Sequence, residues 1–179
     1  MSHLTGKTIA ILATDGFEQS ELLEPKRLLE AHGAHVDVIS SDGKQTIRGW
    51  KEKNWGDEVK VDVQLSDADA SRYDALVLPG GVINPDTLRR DKQAISFIQT
   101  VDKAGKPVAA ICHGPWLLAE SGLAKDRRLT SWASIKTDLI NAGGKWEDAE
   151  VVTDGNIITS RKPDDIPAFS EAIAQALTA

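Results

Sequence analysis

The stretch KPVAAICHGPWLL, residues 106–118, decides the fold. Pro107 to Ile111 is a short apolar run with no polar alternation, which predicts a strand covered on both faces, as in a parallel sheet. Cys112-His113-Gly114-Pro115 then breaks the strand, and Trp116 to Glu120 reads as a helical turn opened by proline at its first position. Two further runs have the same character: Thr8 to Thr14 (TIAILAT) and Tyr73 to Leu78 (YDALVL), the second ending abruptly in Pro79-Gly80-Gly81. Between them, Glu18 to Gly33 predicts a helix on the spacing of Leu22, Leu23, Leu28 and Leu29, with Pro25 expected to kink or restart it. His35 to Ser40 predicts a strand, Asp42 to Asp57 a polar loop, and Val59 to Leu65 a half-exposed strand. Asp91 to Ala104 predicts a helix burying Ala94, Ile98 and Val101 and stopped by Gly105. A helix around Ser134 to Ala142, a hairpin turning at Asp154-Gly155 and a C-terminal helix from Asp164 complete the pattern. Strands alternating with helices imply right-handed crossovers and a doubly wound α/β sheet.

Length and composition narrow the classes. At 179 residues the chain is expected to form one domain, residues 1–179, and 41% hydrophobic with 27% charged residues is the composition of a protein with a buried core. The net charge of -6, with no basic run, argues against nucleic-acid and anionic-membrane partners. No apolar stretch reaches membrane-span length, and Met1 to Lys7 lacks the apolar core of a secretion signal, so a cytoplasmic location is expected. One cysteine cannot form an intrachain disulfide, and with four histidines in no ligand spacing a metal site is not expected. There is no G-x-G-x-x-G, P-loop or H-E-x-x-H, so no cofactor is expected. The five tryptophans, at 50, 55, 116, 132 and 146, read as core and interface residues.

Ligands of open α/β sheets bind beyond the carboxyl ends of the strands. The segments that follow the buried strands are Asp15-Gly16-Phe17-Glu18, Pro79-Gly80-Gly81 and Cys112-His113-Gly114. A sharp turn at Cys112 would aim its sulfur at main-chain amides, which favours thiolate; His-Gly-Pro suits such a turn better than a buried strand. His113 is the candidate base, or else a structural histidine bonded to a carbonyl. Since no histidine follows it, a papain-like order of Cys112 and a distant later histidine is unavailable. Gly80-Gly81 is either simply a tight turn or a place where main-chain amides approach a reacting carbonyl and form an oxyanion hole with the amide of His113. Glu18 is either a solvated helix-start residue or a carboxyl whose burial lets it share a proton with the Cys112 sulfur. Asp86, in Asn84-Pro85-Asp86, is either a helix cap or turn residue or the third group that orients His113.

The combination of DGFEQSELLEP, DALVLPGG, KPVAAICHGPWLL and SRKPDDIPAF resembles the ThiJ/PfpI family of intracellular cysteine peptidases and stress proteins over nearly the whole chain. That resemblance implies a flavodoxin-like three-layer sandwich, akin to class I glutamine amidotransferases, with a mainly parallel sheet. It implies Cys112 as nucleophile, His113 as its partner, Glu18 hydrogen-bonded to the thiol, and Gly81 with His113 as amide donors. It also implies a homodimer or larger assembly in which the neighbouring subunit contributes an acidic third residue, for which Asp86, one methylene shorter than glutamate, is this chain's offering. The implied activities are peptide hydrolysis, glyoxalase conversion of methylglyoxal to lactate, and deglycase repair, all of small carbonyl or peptide substrates. The alternative is a redox sensor or chaperone-like protein whose Cys112 is oxidised to sulfinic acid.

Overall fold

The computed structural model describes residues 3–179; Met1 and Ser2, which open the stretch read for a secretion signal, lie outside it. In chain order the elements are β1 (Thr8–Leu12), β2 (Phe17–Glu18), α1 (Gln19–Ala31), β3 (His35–Ser40), β4 (Thr46–Lys51), β5 (Asn54–Lys60), β6 (Val63–Gln64) and β7 (Ala75–Leu78). There follow α2 (Ile83–Leu88), α3 (Lys92–Lys103), β8 (Val108–Ile111), α4 (Trp116–Ser121), β9 (Arg128–Leu129), α5 (Lys136–Asn141), β10 (Lys145–Trp146), β11 (Val151–Asp154), β12 (Ile157–Ser160) and α6 (Ile166–Thr178).

Seven strands form the central sheet in the order β11-β12-β8-β7-β1-β3-β6, parallel throughout except for the β11–β12 hairpin. The strands alternate between two cores. Ile9, Ile11, Val77, Ala109 and Ile111 pack with Leu22 and Leu29 of α1 and Phe169 and Ile173 of α6. Ala10, Leu12, Leu76, Leu78, Val108 and Ala110 pack with Ile98 and Val101 of α3 and Leu117 and Leu118 of α4. This is the flavodoxin-like helix–sheet–helix sandwich. Because both faces are apolar, continuous hydrophobic runs rather than alternating ones mark the central strands. Register pairs such as Ile9 with Val36 and Ala75 keep side chains of one face together, and a slip of one residue would exchange the two cores.

Three local expectations need correction. The predicted loop of residues 42–57 contains a hairpin, β4 and β5, which joins β2 in a separate three-stranded sheet. The predicted strand of residues 59–65 is divided, because the Val61 amide still bonds to Gln45 beside the hairpin while the Asp62 amide bonds to Val38 of the main sheet. The chain changes sheets between those two residues. Pro25 neither breaks nor restarts α1, which runs unbroken from Gln19 to Ala31 with Pro25 buried. Among the described residues, no helix is long and apolar enough to cross a membrane.

Candidate active site

β1 continues sideways to β3, whereas β7 lies on its other flank, so the sheet order reverses between β1 and β7. Such a reversal opens a crevice beyond the strand ends. Gly16 after β1, Gly81 after β7, and Cys112 and His113 after β8 all line one cavity of about 520 Å³ there.

Cys112 has φ of 63°, a left-handed conformation rare outside glycine, so the tight turn after β8 holds it under strain. Main-chain bonds secure the turn: the Cys112 amide donates to Ser160 O (3.1 Å), its carbonyl accepts from the Trp132 amide (2.9 Å), and the Gly114 amide donates to Ile111 O (2.8 Å). A Cβ on Gly114 would lie 2.9 Å from Ile111 O, which restricts that position to glycine. The thiol is 8% exposed. Burial pushes it up, and a negative Glu21 would push it further, while hydrogen bonds from the amides of Gly81 and His113 pull it down.

The carboxyl that meets the thiol belongs to Glu21, not Glu18. Glu21 is fully buried in the first turn of α1, where its Oε1 accepts the Gly80 amide at 2.9 Å. Burial, reinforced by the charge of Glu18, pushes its carboxyl up to about 8, so at neutral pH it carries a proton. Its Oε2 has no hydrogen-bond partner, and the carboxyl also meets the Cys112 side chain. Gly80 must be glycine for this meeting: a Cβ there would fall 2.7 Å from the Cβ of Cys112 and against the Glu21 carboxyl. Glu18 precedes the helix in extended backbone, so its side chain leaves in a different direction and lines the cavity. It is half-buried, and burial raises its pKa.

His113 presents Nδ1 at 3.3 Å from the Cys112 sulfur and Nε2 at 3.5 Å from Ser134 Oγ. Burial lowers its pKa, which keeps the ring neutral at pH 7. Trp116 meets the imidazole edge-on at 5.2 Å and Trp132 stacks on it at 6.3 Å. Asp86 lies exposed on α2 and is not among the cavity's lining residues. The ring nitrogens therefore face Sγ and Ser134, and within one chain Asp86 orients neither of them.

The structure adds residues that the sequence reading missed. Glu21 was legible only as a second carboxylate three residues after Glu18, hence near it on a helix. Trp50 and Glu52 reach the cavity from the unpredicted hairpin, Trp132 from a loop and Pro163 from the 3-10 turn Pro163–Asp165. The hairpin is tied to the site through parallel pairing of Glu18 with Trp50, and Gln19 accepts the Asp57 amide at 2.8 Å. Among the described residues no group of three His, Cys, Asp or Glu side chains is placed to hold a metal ion.

Residues 7–176 match the DJ-1/PfpI family. The chain is 44% identical over 164 residues, 92% of its length and 94% of the relative's, to YraA of Bacillus subtilis, whose name assigns it provisionally to the cysteine proteases. It is 40% identical over 169 residues to Deglycase TK1284 of Thermococcus kodakarensis, covering 94% of this chain and 98% of that one. Its fold superposes on Drosophila melanogaster DJ-1beta with a TM-score of 0.87 and 29% identity, covering 99% of this chain and 91% of the other.

Proposed function

The chain belongs to the DJ-1/PfpI family, and on that premise we propose that it is a cofactor-free, cysteine-dependent hydrolase acting on a small carbonyl compound or carbonyl adduct, in the manner of a deglycase or glyoxalase. The observation that carries this reading is the convergence of four groups on one strained cysteine: two amides, a neutral imidazole and a protonated carboxyl. The nucleophile is the Cys112 thiol, which gives its proton to the neutral His113 ring at 3.3 Å as it attacks, while the Gly81 and His113 amides and the Glu21 hydroxyl donate to the charge that develops on sulfur. Addition to the aldehyde carbon of an α-oxoaldehyde forms a C–S bond and an oxyanion, which the same amides can take over. His113 then moves a proton from that carbon to its neighbour, giving a thioester and a hydroxyl. Water cleaves the thioester and returns the thiol.

The test is turnover of methylglyoxal to lactate and of a fluorogenic peptide by wild type and Cys112→Ala. Lactate formation lost with the thiol is the expected result. Peptide hydrolysis alone would reassign the site to acyl transfer, and no turnover of either would overturn the enzymatic reading.

The assembly belongs to the same proposal. Val82 (54% exposed), Ile83 (43%) and Trp132 (41%) form apolar surface beside the cavity mouth, which supports pairing with a second copy as a homodimer. Asp86, on the same short helix as Ile83, would then be offered to the neighbour's site. A lone reduced thiol fits a cytoplasmic role in carbonyl stress.

A further inference from the structure

One buried polar side chain outside the reacting groups spans both flanks of the crevice. Asn84 lies in the first turn of α2 and is fully buried, an uncommon setting for a residue type that ordinarily stays at the surface. Its Oδ1 accepts the Thr14 amide at 2.8 Å, and its Nδ2 donates to Pro79 O at 3.0 Å and to Gly80 O at 3.2 Å. The Thr14 amide can only donate and the two carbonyls can only accept, so the side-chain amide has one permitted orientation. Asn84 thereby joins the segment after β1 to the segment after β7, where the sheet order reverses.

The bond to Gly80 O acts on the neighbouring amide. Gly80 O and the Gly81 N–H belong to one planar trans peptide and point in opposite directions. Gly80 O also accepts the Glu18 amide at 3.2 Å, so two donors hold the carbonyl, while the N–H on the other side of the same plane donates to the Cys112 sulfur. Between two glycines this peptide could turn over at little steric cost, because glycine accepts φ of either sign and Gly81 stands at 80°. A turned peptide would aim a carbonyl, not an N–H, at the sulfur.

We propose that Asn84 is a positioning residue that locks the Gly80–Gly81 peptide with its N–H toward Cys112, so that a donor for the developing negative charge is in place before substrate arrives. Asn84 does not line the cavity and acts only through the peptide it holds. The proposal rests on the reading of Cys112 as nucleophile, with the Gly81 amide as one of its donors.

Asn84→Ala removes all three bonds. Val101→Ala, a truncation of the fully buried Val101 on α3 in the other core, controls for loss of stability alone. Alkylation of Cys112, the only thiol, by iodoacetamide under native conditions reads the donor without any turnover. Loss of a donor lowers the thiolate fraction, and rising nucleophilicity offsets part of that loss, so the rate in Asn84→Ala should fall by about threefold or more. In Val101→Ala it should stay within about twofold of wild type. A rate in Asn84→Ala within about twofold of wild type, or an equal fall in Val101→Ala, overturns the lock. With methylglyoxal, Asn84→Ala should lower kcat by about tenfold or more and leave KM within about threefold; a change confined to KM overturns it too. Absence of turnover in wild type would remove the catalytic reading and leave the alkylation comparison to decide the lock. If Asn84→Ala does not fold, the wild type decides by hydrogen exchange. The two Nδ2 protons and the Gly81 amide proton should persist for hours in heavy water by heteronuclear NMR, and their loss within minutes overturns the lock.

Discussion

Replacing Glu21 with glutamine tests the protonated carboxyl at the centre of the site. The amide side chain would keep the oxygen that accepts the Gly80 amide and offer an N–H where the carboxyl carries its proton. Because burial raises the folded-state value above the ordinary one, the stabilising contribution of proton binding is fully present below about 4.5 and is lost as pH rises to about 8. At about 1.4 kcal/mol per tenfold change in proton affinity, the loss over that window approaches 5 kcal/mol. Wild type should therefore weaken relative to Glu21→Gln by about 1.4 kcal/mol per pH unit across the window and by no more above about 8. Urea unfolding of both proteins at pH 5, 7 and 9 measures this directly. At pH 5 the two should be of similar stability, and at pH 9 the variant should be more stable by several kcal/mol. Stability curves that stay parallel from pH 5 to 9 would show that Glu21 is already ionised in the folded protein, and would refute the shared-proton description of the site.

Strain at Cys112 predicts that Cys112→Gly is more stable than Cys112→Ala by about 1 kcal/mol, read from denaturant midpoints, since glycine adopts a φ of 63° without penalty. Gly80→Ala should destabilise the fold by roughly 2 kcal/mol or more, because its Cβ would meet Cys112 and the Glu21 carboxyl. Its alkylation rate by iodoacetamide should fall as well. Sedimentation should find a dimer or larger species that Val82→Asp weakens; monomer alone at working concentration would remove Asp86 from any site in trans.

The sequence made the sandwich legible wherever a segment is buried on both faces. TIAILAT, YDALVL and PVAAI have no alternation because both of their surfaces meet helices. The β4–β5 hairpin was hidden for the opposite reason. Asn54–Lys60 is mostly exposed, so neither an apolar run nor a clean alternation marks it, and its order comes from cross-strand bonds and from pairing with Phe17 and Glu18. Reading Glu18 in place of Glu21 misses the thiol's carboxyl by about one helical turn. On a helix, a carboxylate beside Leu22 reads as the solvated face, and only the close approach of Gly80 and the Cys112 turn converts that face into the floor of a site. Trp132 carried no local signal, because its relation to His113 is set by the Trp132 amide bonding back to the Cys112 carbonyl across 20 residues of chain.

The most direct test of the central claim is intact-protein mass spectrometry of rapidly quenched mixtures with methylglyoxal, followed by peptide mapping. The Cys112 peptide should gain one substrate mass early in turnover and lose it at the steady-state rate, and Cys112→Ala should show neither the adduct nor lactate. Adducts confined to lysine and arginine with Cys112 unmodified during turnover, or lactate formed at an undiminished rate by Cys112→Ala, would contradict it.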